Sequence, residues 1–238
     1  QFGTLEALYP GRIDLGLGRA PGTDGMTAQA LRRTLNSDPN KFPQDVVELQ
    51  RYLQEPEPNQ QIYAVPGYGA NVPIYILGSS LFGAQLAAIL GLPFAFASHF
   101  APQAMTQALE IYRQEFQPSE QLDKPYVMLG YNIYAADSDE HAEYIRTSSL
   151  QAFINLRFGK PGPLPPPVKD FEKTLNAQQE AVLGQVSAAS SVGTVDKVRN
   201  ETQAFIEETG ADELIIVAQV YHHQDRRRSY ELAMEACR

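Results

Sequence analysis

The stretch that most constrains the fold of this chain is Val72–Phe100, VPIYILGSSLFGAQLAAILGLPFAFASHF. An apolar run with β-branched residues leads into the small-residue turn Gly78-Ser79-Ser80, then a helical segment Leu81–Leu90 and a second apolar run Pro93–Ala97. Such short connections predict parallel strands with the helix packed on an outer face of the sheet. The turn then stands at the carboxyl end of a strand and the amino end of a helix, which favours anion binding.

The remainder of the chain alternates predicted helices and strands. Apolar or alternating runs predict further strands at Arg12–Arg19, Tyr126–Ala136 and Glu213–Tyr221, which makes five strands in all. The segment 171–191 carries only a weak helical signal. Repeated strand–helix alternation predicts an α/β fold with a parallel sheet, either doubly wound or closed into a barrel. A closed (β/α)8 barrel would need eight strands.

The strand at Arg12–Arg19, RIDLGLGR, alternates cleanly between two faces. We expect its leucines to pack against helices and Gly16 and Gly18 to face the lumen of a barrel, where a flat ligand could approach the backbone. The alternative is an edge strand weakened by its glycines.

Composition and charge exclude several classes of protein. A net charge of −9 and a pI near 5.0 argue against a nucleic-acid partner, because no basic stripe is present. The single cysteine, Cys237, rules out an internal disulfide, and no histidine, cysteine and carboxylate spacing typical of a metal site occurs. This cysteine usage is consistent with a cytoplasmic protein. No apolar run is long enough to span a membrane.

The first residues look like the tail of a helix that is already under way. Phe2, Leu5 and Leu8 recur at helical spacing, with no methionine or cap before them. We therefore expect the natural product to be longer than this chain at its amino end.

Two segments together carry a resemblance to a known family. The segment RIDLGLGRAPGTD (Arg12–Asp24) and the segment Leu77–Pro102 resemble the bacterial-luciferase-like family of flavin-dependent monooxygenases and oxidoreductases, and the order of elements agrees to the carboxyl end. The resemblance implies a (β/α)8 TIM barrel. It implies that residues 1–238 form a single barrel domain that covers about strands four to eight of that barrel and is incomplete at its amino end.

The resemblance also implies an activity. It points to a monooxygenase that uses reduced FMN, or in some branches the deazaflavin F420, with dioxygen and a small organic substrate. A flavin reductase would supply the reduced flavin, and the complete protein would be a homodimer. The alternative is a protein of the same fold that binds flavin without turnover.

The resemblance assigns roles to specific residues. Arg19 and the turn Gly78-Ser79-Ser80 match positions that hold the flavin phosphate, although the luciferases carry an acidic residue where this chain has Ser79. His99 matches a position near the flavin ring, but the luciferases carry tryptophan there, so a catalytic role does not carry over from the resemblance. From their places in the predicted strands alone, His99 is the candidate catalytic residue, and Tyr131 and Asn132 are candidates for the substrate side.

Each assignment has a structural alternative. Arg19 could form a surface salt bridge, and Ser79 and Ser80 could simply cap the following helix. His99 could be a hydrogen-bonded structural histidine, and Tyr131 could be a core residue.

Overall fold

A computed structural model describes residues 1–20, 25–30 and 39–238 of the chain. Residues 21–24, which end the first segment of the family resemblance, lie outside the described residues. Within the described residues the strands are β1 Leu15–Gly18, β2 Ile74–Gly78, β3 Phe94–Phe96, β4 Val127–Ala135, β5 Ser190–Gly193 and β6 Glu213–Val217. The helices are α1 Phe2–Leu8, α2 Gly25–Ala30, α3 Phe42–Leu53, α4 Leu81–Leu90, α5 Met105–Glu115, α6 Asp139–Arg157, α7 Ala177–Val186, α8 Val195–Thr209 and α9 His223–Ala236.

The chain divides into two compact units. The first comprises residues 1–95 and 107–126, and the second comprises residues 96–106 and 127–238. In the first unit β1 pairs in parallel with β2, so that Leu15 lies opposite Ile74 and Gly18 lies opposite Leu77. The strand–turn–helix expected from the sequence is therefore present as β2 and α4, and the following apolar run forms the shorter strand β3.

The two faces of β1 differ as the sequence predicts. Leu15 is buried, whereas Gly16 and Gly18 are exposed. The space beside Gly16 is taken by a neighbouring side chain, because a Cβ built on Gly16 would lie 2.9 Å from Leu77 Cδ1. Glycine at this position of β1 therefore makes room for the Leu77 side chain of β2.

In the second unit β4 is the longest strand and has two parallel neighbours. Its residues 132–135 pair with β5, and its residues 128–132 pair with β6. A buried cluster packs β4 against the helix α6 and includes Tyr134, Ile145 and Val192. The pairs β1–β2, β4–β5 and β4–β6 are all parallel, which confirms the prediction of an α/β fold with a parallel sheet.

The strand β5 was not predicted from the sequence. The region 171–191, expected to be weakly helical, contains the 3₁₀ turn Phe171–Thr174, helix α7, the 3₁₀ turn Ser187–Ala189 and the start of β5. The residues of β5 are only SSVG, which is too short for a readable alternation and poor in β-branched or aromatic residues. Pairing with β4 satisfies its backbone groups, so the tertiary partner decides the conformation.

Helix ends follow local chemistry. The helices α4 and α8 end at Gly91 and Gly210, whose φ angles of 63° and 60° are left-handed. The helix α6 begins after Ser138, whose side chain accepts a hydrogen bond from the backbone N–H of His141. In the described part of the chain, no helix combines the length and apolar character that a membrane span requires.

Candidate functional site

The turn between β2 and α4 places the end of a strand next to the first turn of a helix. A Cβ on Gly78 would lie 3.5 Å from Gly83 Cα, and a Cβ on Gly83 would lie 3.4 Å from Gly78 Cα, which are ordinary contact distances. The tighter neighbour of both positions is the Phe94 ring, which would lie 3.3 Å from either Cβ. The intervening Ser79 and Ser80 are exposed. The two serines thus lie exposed beside the first turn of α4, in which Gly83 is buried.

The amino end of α4 has no side-chain cap. Ser80 occupies the N-cap position with extended backbone angles (φ −146°, ψ 168°), and its hydroxyl accepts no hydrogen bond from the helix. The first N–H groups of a helix have no intrahelical partners and carry the positive end of the helix dipole. The side chain of Ser80 therefore leaves these donors to water or a ligand, and the capping alternative is not what the structure shows for this residue.

Arg19 lies beside this turn. Because Gly18, the last residue of β1, pairs with Leu77, Arg19 follows the end of β1 next to Gly78. The Arg19 guanidinium stacks on the ring of Phe82 in the first turn of α4, with Cζ 4.1 Å from the ring centroid. No described carboxylate lies within salt-bridge distance of Arg19. A cation, two hydroxyl groups and a helix start therefore converge in the first unit.

A second candidate region is a cavity of about 280 Å³ in the second unit, to which His99 and Asn132 both contribute. Successive residues of a strand point to opposite faces. Asn132 and Tyr134 of β4 line the cavity, whereas Tyr131 points to the other face. There its ring stacks on Phe205 of α8 with 4.5 Å between centroids, and only 2% of the residue is exposed. The structure therefore makes Tyr131 a core residue and corrects its placement on the substrate side.

His99 is held firmly at the cavity wall. Its ring lies against Gly130 of β4, because a Cβ on Gly130 would collide with His99 Nδ1. Asn132 Nδ2 donates to the His99 carbonyl oxygen at 3.0 Å, and Ser98 Oγ donates to the Gly130 carbonyl oxygen at 2.6 Å. Burial lowers the pKa of the His99 imidazole below its ordinary value, so the ring is neutral at pH 7.

The buried nitrogen of His99 indicates which tautomer is present. Nδ1 is buried and has no hydrogen-bond partner among the described residues. An orphaned buried N–H is costly and rare in proteins. We therefore infer that Nδ1 carries the lone pair and that the proton resides on Nε2, which makes this ring a hydrogen-bond donor through Nε2.

One end of the cavity is polar, and sequence reasoning missed it. Arg146 of α6 bonds through Nη1 to Glu143 Oε2 at 2.9 Å and donates through Nη2 to Ser187 Oγ at 3.2 Å. Burial raises the pKa of Tyr134 to about 12, opposed by a hydrogen bond with Ser149 and by the charge of Arg146. The sequence did contain a signal, since Arg146 and Ser149 share one helical face with Leu150 and Phe153 at i, i+3, i+4 and i+7, and in the structure this face is at least half-buried.

The other end of the cavity is apolar. Phe100 and Phe153 contact each other edge to face with 6.4 Å between ring centroids, and Leu156 and Pro161 line the same region. The guanidinium of Arg157 lies over both rings, at 5.4 and 4.9 Å from their centroids. The cavity is therefore amphipathic along its length.

A larger cavity of about 750 Å³ runs along α6 and the segment 168–173. Its charged side chains pair with one another at the surface, for example Lys173 with Asp170 at 2.8 Å and Lys169 with Glu140 at 3.9 Å. Exposed pairs of this kind contribute little binding energy. The smaller cavity, with its buried polar groups, is the better candidate site.

Comparisons with known proteins identify the family of this chain. The family model described as luciferase-like monooxygenase matches residues 27–213. A protein of Escherichia coli (strain K12) named luciferase-like monooxygenase is 51% identical over 235 residues, which are 99% of this chain and 70% of that protein. The crystal structure of apo-MsnO8 is 29% identical, has a TM-score of 0.80, and is matched over 99% of this chain and 71% of that chain.

Two more distant structures share the fold. The FMN complex of the oxygenating constituent of 3,6-diketocamphane monooxygenase from Pseudomonas putida is 17% identical, with a TM-score of 0.60 over 97% of this chain and 72% of that chain. The coenzyme F420 dependent tetrahydromethanopterin reductase of Methanopyrus kandleri is 16% identical, with a TM-score of 0.64 over 99% of this chain and 75% of that chain. On the strength of the family model and the E. coli relative, this chain belongs to the luciferase-like monooxygenase family.

Proposed function

We propose that this chain belongs to an enzyme that uses reduced FMN and dioxygen to oxidise a small organic substrate. Family membership supports a monooxygenase in general, and the structural neighbours include proteins described with FMN and with F420. One observation favours a phosphorylated flavin. The start of α4 has no side-chain cap, and the Arg19 guanidinium stacks beside it on Phe82.

The groups in the first unit suit a dianionic phosphate. Arginine forms bidentate, charge-assisted hydrogen bonds with phosphate oxygens, and helix N–H groups add further donors. Gly78 keeps the strand end close to the helix, and the hydroxyls of Ser79 and Ser80 are accessible. Arg19, Gly78, Ser79 and Ser80 are therefore the residues that we assign to the cofactor phosphate.

The cavity of the second unit suits a substrate. When bound, reduced flavin would supply the electrons that activate dioxygen, and the protein would supply binding, orientation and protection from water. His99 can donate a hydrogen bond through Nε2, and Asn132 fixes the backbone that carries His99. The side chains of Phe100 and Phe153 provide an apolar surface for the substrate.

The phosphate assignment is tested with Arg19→Ala. A hydrogen bond to a charged group contributes about 1.5–3 kcal/mol, so FMN binding should weaken roughly 10- to 150-fold. Ser80→Ala should cost less, since the backbone donors remain. Riboflavin lacks the phosphate and should bind weakly and respond little to either change. The measurement is a titration of each variant with both flavins.

Arg12→Ala is the matched control. Arg12 precedes β1, and its guanidinium also lies over an aromatic ring, that of Tyr9, at 5.7 Å from the centroid. This variant should bind FMN as the wild type does. If Arg19→Ala weakens riboflavin as much as FMN, then Arg19 acts on the flavin ring or on the fold, and the phosphate assignment is wrong.

Oxygen consumption separates an enzyme from a protein that only binds flavin. Reduced FMN offered with a panel of aldehydes and small alkanes should give substrate-dependent oxygen uptake above the background oxidation of free flavin. Flavin binding without such uptake would favour the non-catalytic alternative. Binding titrations with FMN and with F420 decide between the two cofactors.

We further propose a flavin reductase as the source of reduced flavin and a homodimer as the assembly. Both proposals rest on the family resemblance. Light scattering at micromolar concentration should give twice the mass of one chain for the complete protein, and a monomer mass would count against the homodimer.

A further inference from the structure

We propose that the cavity of the second unit selects substrates with a carboxylate at one end and an apolar group at the other, and that Arg146 sets this specificity. The proposal rests on the function proposed above and names the substrate class of the same site. The evidence for this substrate class is the set of contacts that Arg146 makes and the distribution of polar and apolar residues along the cavity.

Arg146 supplies a positive charge to the cavity and is paired with Glu143 outside it. Among the described residues that line the cavity, it is the only one that is fully charged at pH 7. Its side chain is only 14% exposed, whereas its partner Glu143 is 49% exposed and does not line the cavity. A guanidinium carries five N–H donors, and two of its nitrogens are engaged by Glu143 and Ser187. Donors therefore remain for a carboxylate on the cavity side.

Neutral polar residues line the same cavity. They are Ser149, Ser187, Ser190 and Gln219, of which Ser190 already donates through Oγ to the Ser187 carbonyl oxygen at 3.0 Å. The Tyr134 hydroxyl stays protonated at neutral pH because burial raises its pKa to about 12. No described carboxylate lines the cavity, so an anionic substrate meets no repulsion there and a cationic substrate finds no partner. The charged residue that lines the cavity is thus positive, whereas the whole chain has a net charge of −9.

The opposite wall recognises an apolar group. Phe100 and Phe153 pack edge to face, and Leu156 and Pro161 extend the apolar surface. The volume of about 280 Å³ is close to the lower end of the range of about 300–1,000 Å³ found for ligand cavities. A short alkyl or aryl acid matches this volume and this polarity.

The test compares an acid with its neutral isostere on the flavin-free protein. Hexanoate and hexanamide are titrated by calorimetry or by saturation-transfer NMR, and the wild type should prefer the acid. Arg146→Gln should weaken hexanoate binding roughly 10- to 150-fold, because a hydrogen bond to a charged group is lost, and should change hexanamide binding less than about threefold. Arg146→Lys keeps the charge and should retain part of the preference.

A second variant, at Glu143, is expected to strengthen acid binding rather than weaken it. Glu143 competes with the substrate for the Arg146 guanidinium, so Glu143→Gln should strengthen hexanoate binding by up to about fivefold, the equivalent of an exposed ion pair. Arg199→Gln is the control, because Arg199 forms a similar i, i+3 pair with Asp196 on α8 and does not line the cavity. It should leave both affinities unchanged.

Three outcomes would overturn the proposal: no preference for the acid in the wild type, equal losses of acid and amide in Arg146→Gln, or weaker acid binding in Glu143→Gln. Circular dichroism establishes that each variant is folded, and Glu143→Gln carries the test if Arg146→Gln does not fold. The FMN titration of the Arg19 variants is independent of these measurements. Failure of the acid preference therefore leaves the cofactor proposal standing, and failure of FMN binding leaves the acid preference to be decided on its own.

Discussion

At the scale of single residues, Gly130 and His99 form a matched pair. Gly130 of β4 offers no side chain where the imidazole lies, and Ser98 and Asn132 bond to the backbone on either side of the contact. The His99 ring therefore fits where Gly130 has no side chain, and the hydrogen bonds of Ser98 and Asn132 to main-chain oxygens hold the two segments together.

Gly130→Ala tests this pairing. The added Cβ would overlap with His99 Nδ1, so the variant should lower the free energy of unfolding by about 1–3 kcal/mol, as overpacking does. In a protein that already carries His99→Ala, the same substitution should cost far less, because the obstructing ring is absent. Denaturant unfolding of both single variants and the double variant measures the coupling, and additive losses would contradict it.

The neutrality of His99 gives a pH dependence of stability. Its pKa in the folded state lies below the ordinary value of 6.5, so the unfolded chain binds a proton that the folded chain does not. Stability should therefore fall as the pH drops below 6.5, until the folded-state pKa is passed. His99→Asn, which cannot be charged, should show a weaker fall between pH 7 and 5 in urea unfolding.

The exposed residue His222 offers a control for this experiment. His222→Asn should keep the fall in stability that the wild type shows. A fall of the same size in His99→Asn and in the wild type would contradict the assignment of the effect to His99.

The neighbouring residues Tyr131 and Asn132 show what the sequence could and could not decide at this scale. Both lie on a strand that was correctly predicted, and strand geometry alone requires them to point to opposite faces. The sequence could not predict which face of β4 lines the cavity. Both faces of this strand are buried, so its residues show no alternation of apolar and polar side chains. Helix packing decides it, since Phe205 of α8 covers the Tyr131 ring.

At the scale of elements, the long helix α6 carries the most information about the cavity, since it supplies Arg146, Ser149 and Phe153. It starts after Ser138, whose side chain accepts a hydrogen bond from the His141 N–H, as is typical of serine at an N-cap. Its contribution to the cavity was not predicted, because a polar stripe on a helix face has the same sequence pattern as a solvated face.

Two serines at N-cap positions allow a paired prediction. Ser138→Ala removes a side-chain cap from α6 and should cost about 1 kcal/mol in the free energy of unfolding. Ser80→Ala at the start of α4 removes no such bond and should cost clearly less in the flavin-free protein. Thermal or urea unfolding of the two variants side by side gives the comparison, and a larger loss for Ser80→Ala would contradict it.

The strand β5 was missed at this scale for a general reason. Its four residues have little intrinsic preference for a strand, and their conformation follows from pairing with residues 132–135 of β4. The longer apolar runs at β2 and β4 were found because each carries enough residues for its own pattern to be read.

At the scale of the whole molecule, charge governs behaviour in solution. The net charge of −9 at pH 7 falls to zero near the pI of 5.0. Repulsion between molecules then disappears, so self-association should increase as the pH is lowered from 7 to 5. Light scattering over a range of protein concentrations measures this. Scattering that does not depend on concentration would attribute the change to unfolding within single molecules.

The bare start of α4 has a consequence for the dynamics of the chain. A helix whose N-cap serine makes no side-chain bond leaves its first amides open to exchange with solvent deuterium. A phosphate bound there would accept hydrogen bonds from these amides, as the side chain of an N-cap residue does in other helices. The amides of residues 81–83 should then exchange quickly in the flavin-free protein and slowly with FMN, while riboflavin leaves them fast. Phosphate binding and the ordering of this first helical turn would then be thermodynamically coupled, so that amide exchange at residues 81–83 reports FMN binding.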